Sequence, residues 1–360
     1  MKKVRKFTYP IAVLFGFAAW IRNFLFDTGI LKSKEFDTPI IAVGNITVGG
    51  TGKTPHVEYI TALLKKEFKV ATLSRGYKRK TKGFLVANQQ STIAQVGDEA
   101  KQLSYKFPDV KVALCEKRVV GIDRLCAEDK KLETIVLDDA FQHRYVKAGL
   151  SILLIDYFRP IKDDYFLPYG NLRESKHEMK RADIIIVTKT PREVKPIELR
   201  IISMNNKPFP YQNLYFTTFN YGKPQPVFKS LGQMGKFSGS PNVLVITGIE
   251  NPTPFIQYLE KNFKLHSHLA FPDHHNFNDK DIEQINEAYA GIAGENKIVL
   301  TTEKDAMRLQ EIETLNHDMR TKLFFIPIEV EFLNNQKETF DKQIIDYVKK
   351  NNRNSNLHQR

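Results

Sequence analysis

The chain is poor in cysteine, in acidic charge and in long apolar runs, and each shortage excludes something. Only Cys115 and Cys126 occur among 360 residues, and they form no Cys-x-x-Cys pair. A disulfide-stapled secreted mini-protein and a zinc ribbon are thereby excluded, and a reducing compartment fits. The longest apolar run, Tyr9 to Ile21, begins beside Pro10 and is ended by Arg22; a spanning helix needs about 20 such residues. Phe24, Leu25, Phe26 and Asp27 fill the place where a signal peptide would carry small residues for cleavage. No repeat of solenoid period is present. Acids are outnumbered, 41 against 54 Lys and Arg, for a net charge of +13. Such a balance favours an anionic partner: nucleic acid, a membrane surface or a phosphorylated substrate. At 42% hydrophobic and 26% charged residues the composition is globular, and the length suggests two domains.

What is present starts at the N-terminus. Through residue 34 there are seven Lys or Arg against Asp27 alone, flanking an aromatic-rich apolar helix. That combination suits the surface of an anionic leaflet, each nearby cation contributing on the order of 1 kcal/mol. Residues 1–34 are therefore expected to be a membrane-association segment.

From Pro39 onward, short β-branched runs alternate with helical patterns. Strands are expected at 40–43, 70–73, 111–114, 134–137, 151–155 and 184–187, with helices near 54–67, 91–106 and 116–129. Apolar runs without alternation indicate a mostly parallel sheet covered on both faces, that is, a doubly wound α/β domain over 35–210. The proline-rich stretch 211–241 reads as a joint. A smaller α/β domain is expected over 242–350, with strands at 243–246, 297–300 and 323–326, a helix near 253–263, and a polar tail at 351–360.

Directly after the first strand comes Gly44-Asn45-Ile46-Thr47-Val48-Gly49-Gly50-Thr51-Gly52-Lys53-Thr54-Pro55. Strand, glycine-rich turn and helix is the context of a phosphate-binding loop. Backbone N–H groups from Thr47, Val48, Gly49, Gly50, Thr51 and Gly52 would converge on a phosphate chain at a helix N-terminus. Lys53 would bridge the β- and γ-phosphates, and the Thr54 hydroxyl would ligand Mg²⁺. The strict pattern asks for glycine where Thr47 stands, so the loop is a variant. Val48 occupies the slot in which partitioning-type ATPases carry a signature lysine.

Such a loop needs a metal-organising acid at a neighbouring strand end, and Asp138-Asp139 supplies one; which of the two touches the metal stays open. Gln142, His143 and Arg144 could position phosphate or water. By spacing alone, Asp98 and Glu99 at a helix start complement the helix dipole. Arg118, a cation at the next helix start, is misplaced unless an anion binds there. Arg75 to Lys82 holds five cations, as a solvated loop or an anion clamp. Of the adjacent His274 and His275, one functional and one structural histidine is expected.

Together with Ser74-Arg75-Gly76-Tyr77, Val96-Gly97-Asp98-Glu99, Asp138-Asp139-Ala140-Phe141-Gln142-His143-Arg144, Leu172-Arg173-Glu174, Asp273-His274 and Thr302-Glu303-Lys304-Asp305, the phosphate loop resembles the tetraacyldisaccharide 4'-kinase (lipid A 4'-kinase) family. The resemblance implies an ATP- and Mg²⁺-dependent enzyme of Gram-negative bacteria. It would phosphorylate the 4'-hydroxyl of a lipid-linked glucosamine disaccharide 1-phosphate, giving lipid IV-A, at the cytoplasmic face of the inner membrane. By the same resemblance Asp98 is the base, helped by His274, with Lys53 and Arg118 steadying phosphate charge. Asp138, Asp139 and Thr54 hold the metal, and Glu99, Arg75, Asn45, Arg173 and Glu174 lie on the substrate side. The second domain is expected to close over the nucleotide.

A membrane-attached ATPase of the switch or partitioning type would use the same loop. Against it stand the missing lysine and the Asp273-His274 pair. A guanine-nucleotide switch would need an Asn-Lys-x-Asp motif, and Val187-Thr188-Lys189-Thr190 lacks the acid. Nucleic-acid binding would explain the charge, but the surplus is concentrated at the N-terminus and in one loop, and no nucleic-acid motif appears. The expectation is a monomer with no nucleic-acid partner.

Overall fold

The computed structural model describes residues 8–206, 209–228 and 240–358. By contacts the chain forms two units: the first comprises residues 1–89, 103–219 and 330–360, the second residues 90–102 and 220–329.

The first unit opens with helix α1 (Tyr9–Asp27). Its sheet contains β1 (Ile40–Gly44), β2 (Val70–Ser74), β3 (Leu85–Ala87), β4 (Lys111–Leu114), β5 (Thr134–Asp138), β6 (Leu150–Asp156), β7 (Ile184–Thr188), β8 (Asn213–Tyr221) and β14 (Ile328–Phe332). Their order is β14-β8-β7-β6-β1-β5-β2-β4-β3. The six strands expected from unbroken apolar runs all form, and β1, β5 and β7 are buried at every position. Helices α2 (Lys53–Leu64) and α5 (Arg118–Glu128) follow β1 and β4. Ile122 and Leu125 of α5 pack with Leu73, Ala113, Ile135 and Leu137, burying apolar area that is worth about 25 cal/mol per Å².

The helix expected over 91–106 is two: α3 (Ile93–Val96) and α4 (Asp98–Lys106). Gly97, at φ +81, breaks them, a left-handed conformation glycine adopts at no steric cost. The break leaves Asp98 as the first residue of α4. The second unit carries α7 (Thr253–Asn262), α8 (Asp279–Ala290), α9 (Glu303–Leu309) and α10 (His317–Thr321). Its strands are β9 (Gln225–Pro226), β10 (Asn242–Thr247), β11 (Lys264–Ala270), β12 (Lys297–Thr302) and β13 (Leu323–Ile326). They order as β11-β10-β12-β13-β9, all parallel except β9.

Three further expectations differ from the structure. The expected joint 211–241 contains β8, which pairs in parallel with β7; its residues 229–239 lie outside those described. Residues 90–102 group with the second unit and 330–360 with the first, across the expected boundaries. The expected polar tail is the end of α11 (Lys337–His358), the helix that follows α6 (Pro196–Asn206) in the first unit. Phe340, Ile344 and Val348, spaced four apart, are fully buried there, and helical spacing explains why. The Tyr347 hydroxyl accepts from Ile40 N at 3.2 Å and donates to Ile40 O at 3.0 Å, tying this last helix to the first strand.

Helix α1 buries little. Ala12, Gly16, Asn23 and Phe26 face the body, and a Cβ on Gly16 would meet the Phe166 ring at 2.7 Å. Tyr9, Val13, Leu14, Phe17, Trp20 and Phe24 are exposed. By length and composition alone the helix is apolar enough to cross a membrane. Polar contacts join these apolar ones: Arg144 donates to Asn23 O at 3.0 Å and to Asp27 Oδ1 at 2.6 Å, and Arg22 donates to Gln142 O.

Candidate functional site

In the first unit, β1 and β5 run parallel with Val43 beside Asp138, so the glycine-rich loop and the acidic pair leave the sheet together at its carboxyl end, where ligands bind in open α/β sheets. Gly49 at φ +97 and Gly52 at φ +83 supply the left-handed turns. Asn45 Nδ2 donates to Thr51 Oγ1 at 2.8 Å across the loop's base, and Gln142 Nε2 donates to Asn45 O at 2.6 Å. A second segment backs the loop: Val48 N donates to Asn171 O and Arg173 N to Ile46 O, both at 2.8 Å. That backing brings Arg173 to the acidic pair.

Lys53 Nζ lies 3.7 Å from Asp139 Oδ1, and Arg173 Nη1 lies 3.1 Å from Asp139 Oδ2. Burial alone would raise the Asp139 pKa, but Lys53 and Arg173 outweigh it and hold the carboxyl below its ordinary range. Asp139 sits on left-handed backbone, φ +47, with its side chain 35% exposed. Among the described residues, no group of three or more His, Cys, Asp or Glu side chains stands ready to hold a metal by itself. The donors near the loop are hard oxygens: the Thr54 hydroxyl and the two carboxylates. They fit Mg²⁺, which takes one or two carboxylates and fills its shell with phosphate oxygens and water.

Several sequence-predicted residues are occupied otherwise. Arg118 is fully buried, donating to Cys115 O at 3.3 Å and Asp138 O at 2.9 Å, and so braces the acidic strand end. Asn45 closes the loop. Glu174 is buried against Arg181 and 3.9 Å from Arg22, its pKa raised by burial. Arg75 is exposed and Glu99 half-buried. Gln142 and Arg144 hold the loop and α1. His143 is pushed down to about 4 by burial and by the cations Arg118, Arg75 and Arg22. Sequence reasoning missed His56, on α2. It is buried, with Nδ1 2.8 Å from Gly52 O and Nε2 3.0 Å from Thr217 Oγ1, and burial lowers its pKa to about 4.

The second unit holds an acid–histidine centre at the carboxyl ends of its parallel strands. Asp98 is 7% exposed, and its Oδ2 lies 2.7 Å from His274 Nδ1. Arg308, also missed in the sequence, donates from Nε to Asp98 Oδ1 at 3.2 Å and from Nη2 to Asp98 Oδ2. Its Nη1 reaches Asp305 Oδ1 at 2.7 Å and Gly248 O at 3.2 Å. Lys304 Nζ lies 3.0 Å from His274 Nε2. Burial would raise the Asp98 pKa, but the bonds from His274 and Arg308 hold it far below the carboxylate range. His274 stands at φ +58, whereas His275 is engaged by Asp281 at 2.7 Å and stacks on Phe271.

A doubly wound sheet with a glycine-rich loop, a loop lysine and strand-end acids defines a P-loop α/β protein. The sequence pattern of the Tetraacyldisaccharide-1-P 4'-kinase family matches residues 4–349. The chain belongs to that family. It is 45% identical over 359 residues to the tetraacyldisaccharide 4'-kinase of Phocaeicola vulgatus, covering 99% of this chain and 98% of that one. The corresponding protein of Bacteroides thetaiotaomicron is also 45% identical, with 99% and 97% covered. A solved structure, the "apo" form of LpxK from Aquifex aeolicus in complex with ATP, superposes with a TM-score of 0.73 at 29% identity, covering 96% of this chain and 99% of that one.

Proposed function

We propose that this chain is an ATP-dependent kinase that phosphorylates the 4'-hydroxyl of a tetraacyl glucosamine disaccharide 1-phosphate, giving lipid IV-A in lipid A biosynthesis. The observation that carries the reading is a family match that runs through both centres, from the phosphate loop to Asp98, His274 and Lys304. Phosphoryl transfer asks the protein for positioning and charge neutralisation more than for covalent chemistry. Loop N–H groups and Lys53 hold the phosphates of ATP, and Lys53 exchanges its contact with Asp139 for the β- and γ-phosphates. Thr54, Asp138 and Asp139 would hold Mg²⁺, which neutralises charge on the transferring group. Arg173, which lies 3.1 Å from Asp139, would face the same phosphates.

Asp98 takes the proton of the attacking hydroxyl, with His274 orienting the carboxylate. Helix α1 lays its exposed apolar face on the cytoplasmic surface of an anionic inner membrane, where the lipid acceptor resides, and the enzyme acts as a monomer.

The deciding experiment is transfer of label from γ-labelled ATP to a tetraacyl disaccharide 1-phosphate in detergent, with Lys53→Ala as control. A labelled lipid that disappears in the control is expected. Lipid-stimulated ATP hydrolysis without labelled lipid would replace the kinase with a membrane ATPase.

A further inference from the structure

Asp98 is a curious base, because both its oxygens already carry donors. Arg308 takes Oδ1 through Nε and Oδ2 through Nη2, and His274 also meets Oδ2. The guanidinium is itself immobilised. It is 5% exposed, and its remaining face is bonded to Asp305 and to Gly248 O. Asp305 is fixed in turn by Gly248 N at 2.8 Å and the Thr302 hydroxyl at 2.7 Å. Arg308 thus ties the first residue of α4 to the start of α9 through two carboxylates, a bridge that matches the planar fork of arginine and not the point charge of lysine.

Lys304 completes the arrangement. An ammonium has donors and no acceptor, so a contact of 3.0 Å with His274 Nε2 makes that nitrogen the acceptor. The hydrogen of the neutral ring is then on Nδ1, which donates to the Asp98 carboxylate at 2.7 Å, much nearer than the Arg308 Nη2 that stands 3.3 Å away. Asp273 lies 3.7 Å from both His274 Nε2 and Lys304 Nζ. The charged or titratable groups facing His274 and Asp98 are therefore Arg308, Lys304, Asp273 and, through Arg308, Asp305.

We propose that Arg308 is a positioning residue that aims and restrains the Asp98 carboxylate, while Lys304 fixes His274 as the Nδ1–H tautomer. The proposal rests on the reading of Asp98 as the base. Its consequence is that the centre accepts a proton only from a hydroxyl seated against Asp98 and does not acquire one from solvent at mildly acid pH. Without Arg308, only His274 and Lys304 would oppose the burial of Asp98, and the carboxyl would protonate at higher pH.

The test follows kcat/KM for the lipid acceptor against pH in the full chain in detergent, for wild type, Arg308→Gln, Arg308→Lys and Lys304→Met. The expected result is an acid limb moved to higher pH in Arg308→Gln, falling tenfold per pH unit below it, with the KM for ATP unchanged. Arg308→Lys, which keeps the charge but cannot span both carboxylates, should move the limb less, and it stands in if Arg308→Gln does not fold. Lys304→Met should also raise the limb and shift the ¹⁵N signals of His274 toward the other tautomer. Equal loss at every pH in the Arg308 variants would reduce Arg308 to a structural strut. An unchanged His274 spectrum in Lys304→Met would remove the tautomer assignment. Full activity in Asp98→Asn would sink the base reading itself, a separate outcome from either.

Discussion

Two aspartates in this protein are each held by a pair of basic groups, and they are held differently. Asp139 lies at a strand end of the first unit, 3.7 Å from Lys53 and 3.1 Å from Arg173, with a third of its side chain exposed. Asp98, in the second unit, is nearly enclosed, with a guanidinium across both oxygens and an imidazole on one. Both carboxyls are kept ionised, one by partners that can be exchanged, the other by partners locked into the fold. The lesson is one of tasks. On the proposed roles, a group that would receive a metal and phosphates needs replaceable contacts, and a group that would aim at one proton needs fixed ones.

The contrast can be broken at several points. The largest effect is expected for Asp98→Asn, which keeps shape and most hydrogen bonds but removes the proposed proton acceptor: kcat should fall roughly 10²–10⁴-fold. The Mg²⁺ concentration for half-maximal rate should not move. Asp139→Asn should show the reverse emphasis, raising that Mg²⁺ requirement roughly 10–100-fold, the range found when a carboxylate supporting a metal site is lost. Titrating Mg²⁺ against both variants decides it; equal shifts would erase the distinction.

Smaller effects test the frame around the open centre. Gly52→Ala forces a side chain into φ +83 and towards the Phe219 ring at 2.7 Å, and should cost about 1–3 kcal/mol. Chemical denaturation checks this, and an unchanged midpoint would mean that the loop relaxes freely. The smallest effect concerns His56, lowered to about 4. Between the ordinary value near 6.5 and about 4, the unfolded chain binds a proton the folded chain refuses, so stability falls as pH falls through that window. His56→Gln should flatten that slope in stability measurements from pH 7 to 4, and an equal slope would assign the pH dependence elsewhere.

The open centre was far more legible in the sequence than the closed one. Its loop is contiguous, and the β-branched run of β5 delivers Asp138 and Asp139 to the strand end that parallel sheets use for ligands. The closed centre is assembled from residues 98, 248, 274, 304, 305 and 308, and no local pattern joins them. Resemblance supplied Asp98 and His274, but Arg308 stands just beyond the quoted motif and looks like an ordinary helix cation. Arg118 was legible only as a cation at a helix start; its bonds to the carbonyls of Cys115 and Asp138 leave no mark in sequence. Helix α11 escaped notice because its polar residues outnumber the three buried apolar ones that hold it.

That last helix also sets an order of events during synthesis. Ribosomes deliver chains from the N-terminus, and domains tend to fold as they emerge. Here the first strand lacks its Tyr347 partner until the last helix is made, and the sheet lacks its edge strand β14 until nearly as late. The second unit, emerging whole by residue 329, is complete earlier than the unit that began the chain. A released chain truncated after residue 335, which lacks α11, should therefore present the Asp98–His274 centre in folded form while its phosphate loop remains protease-sensitive.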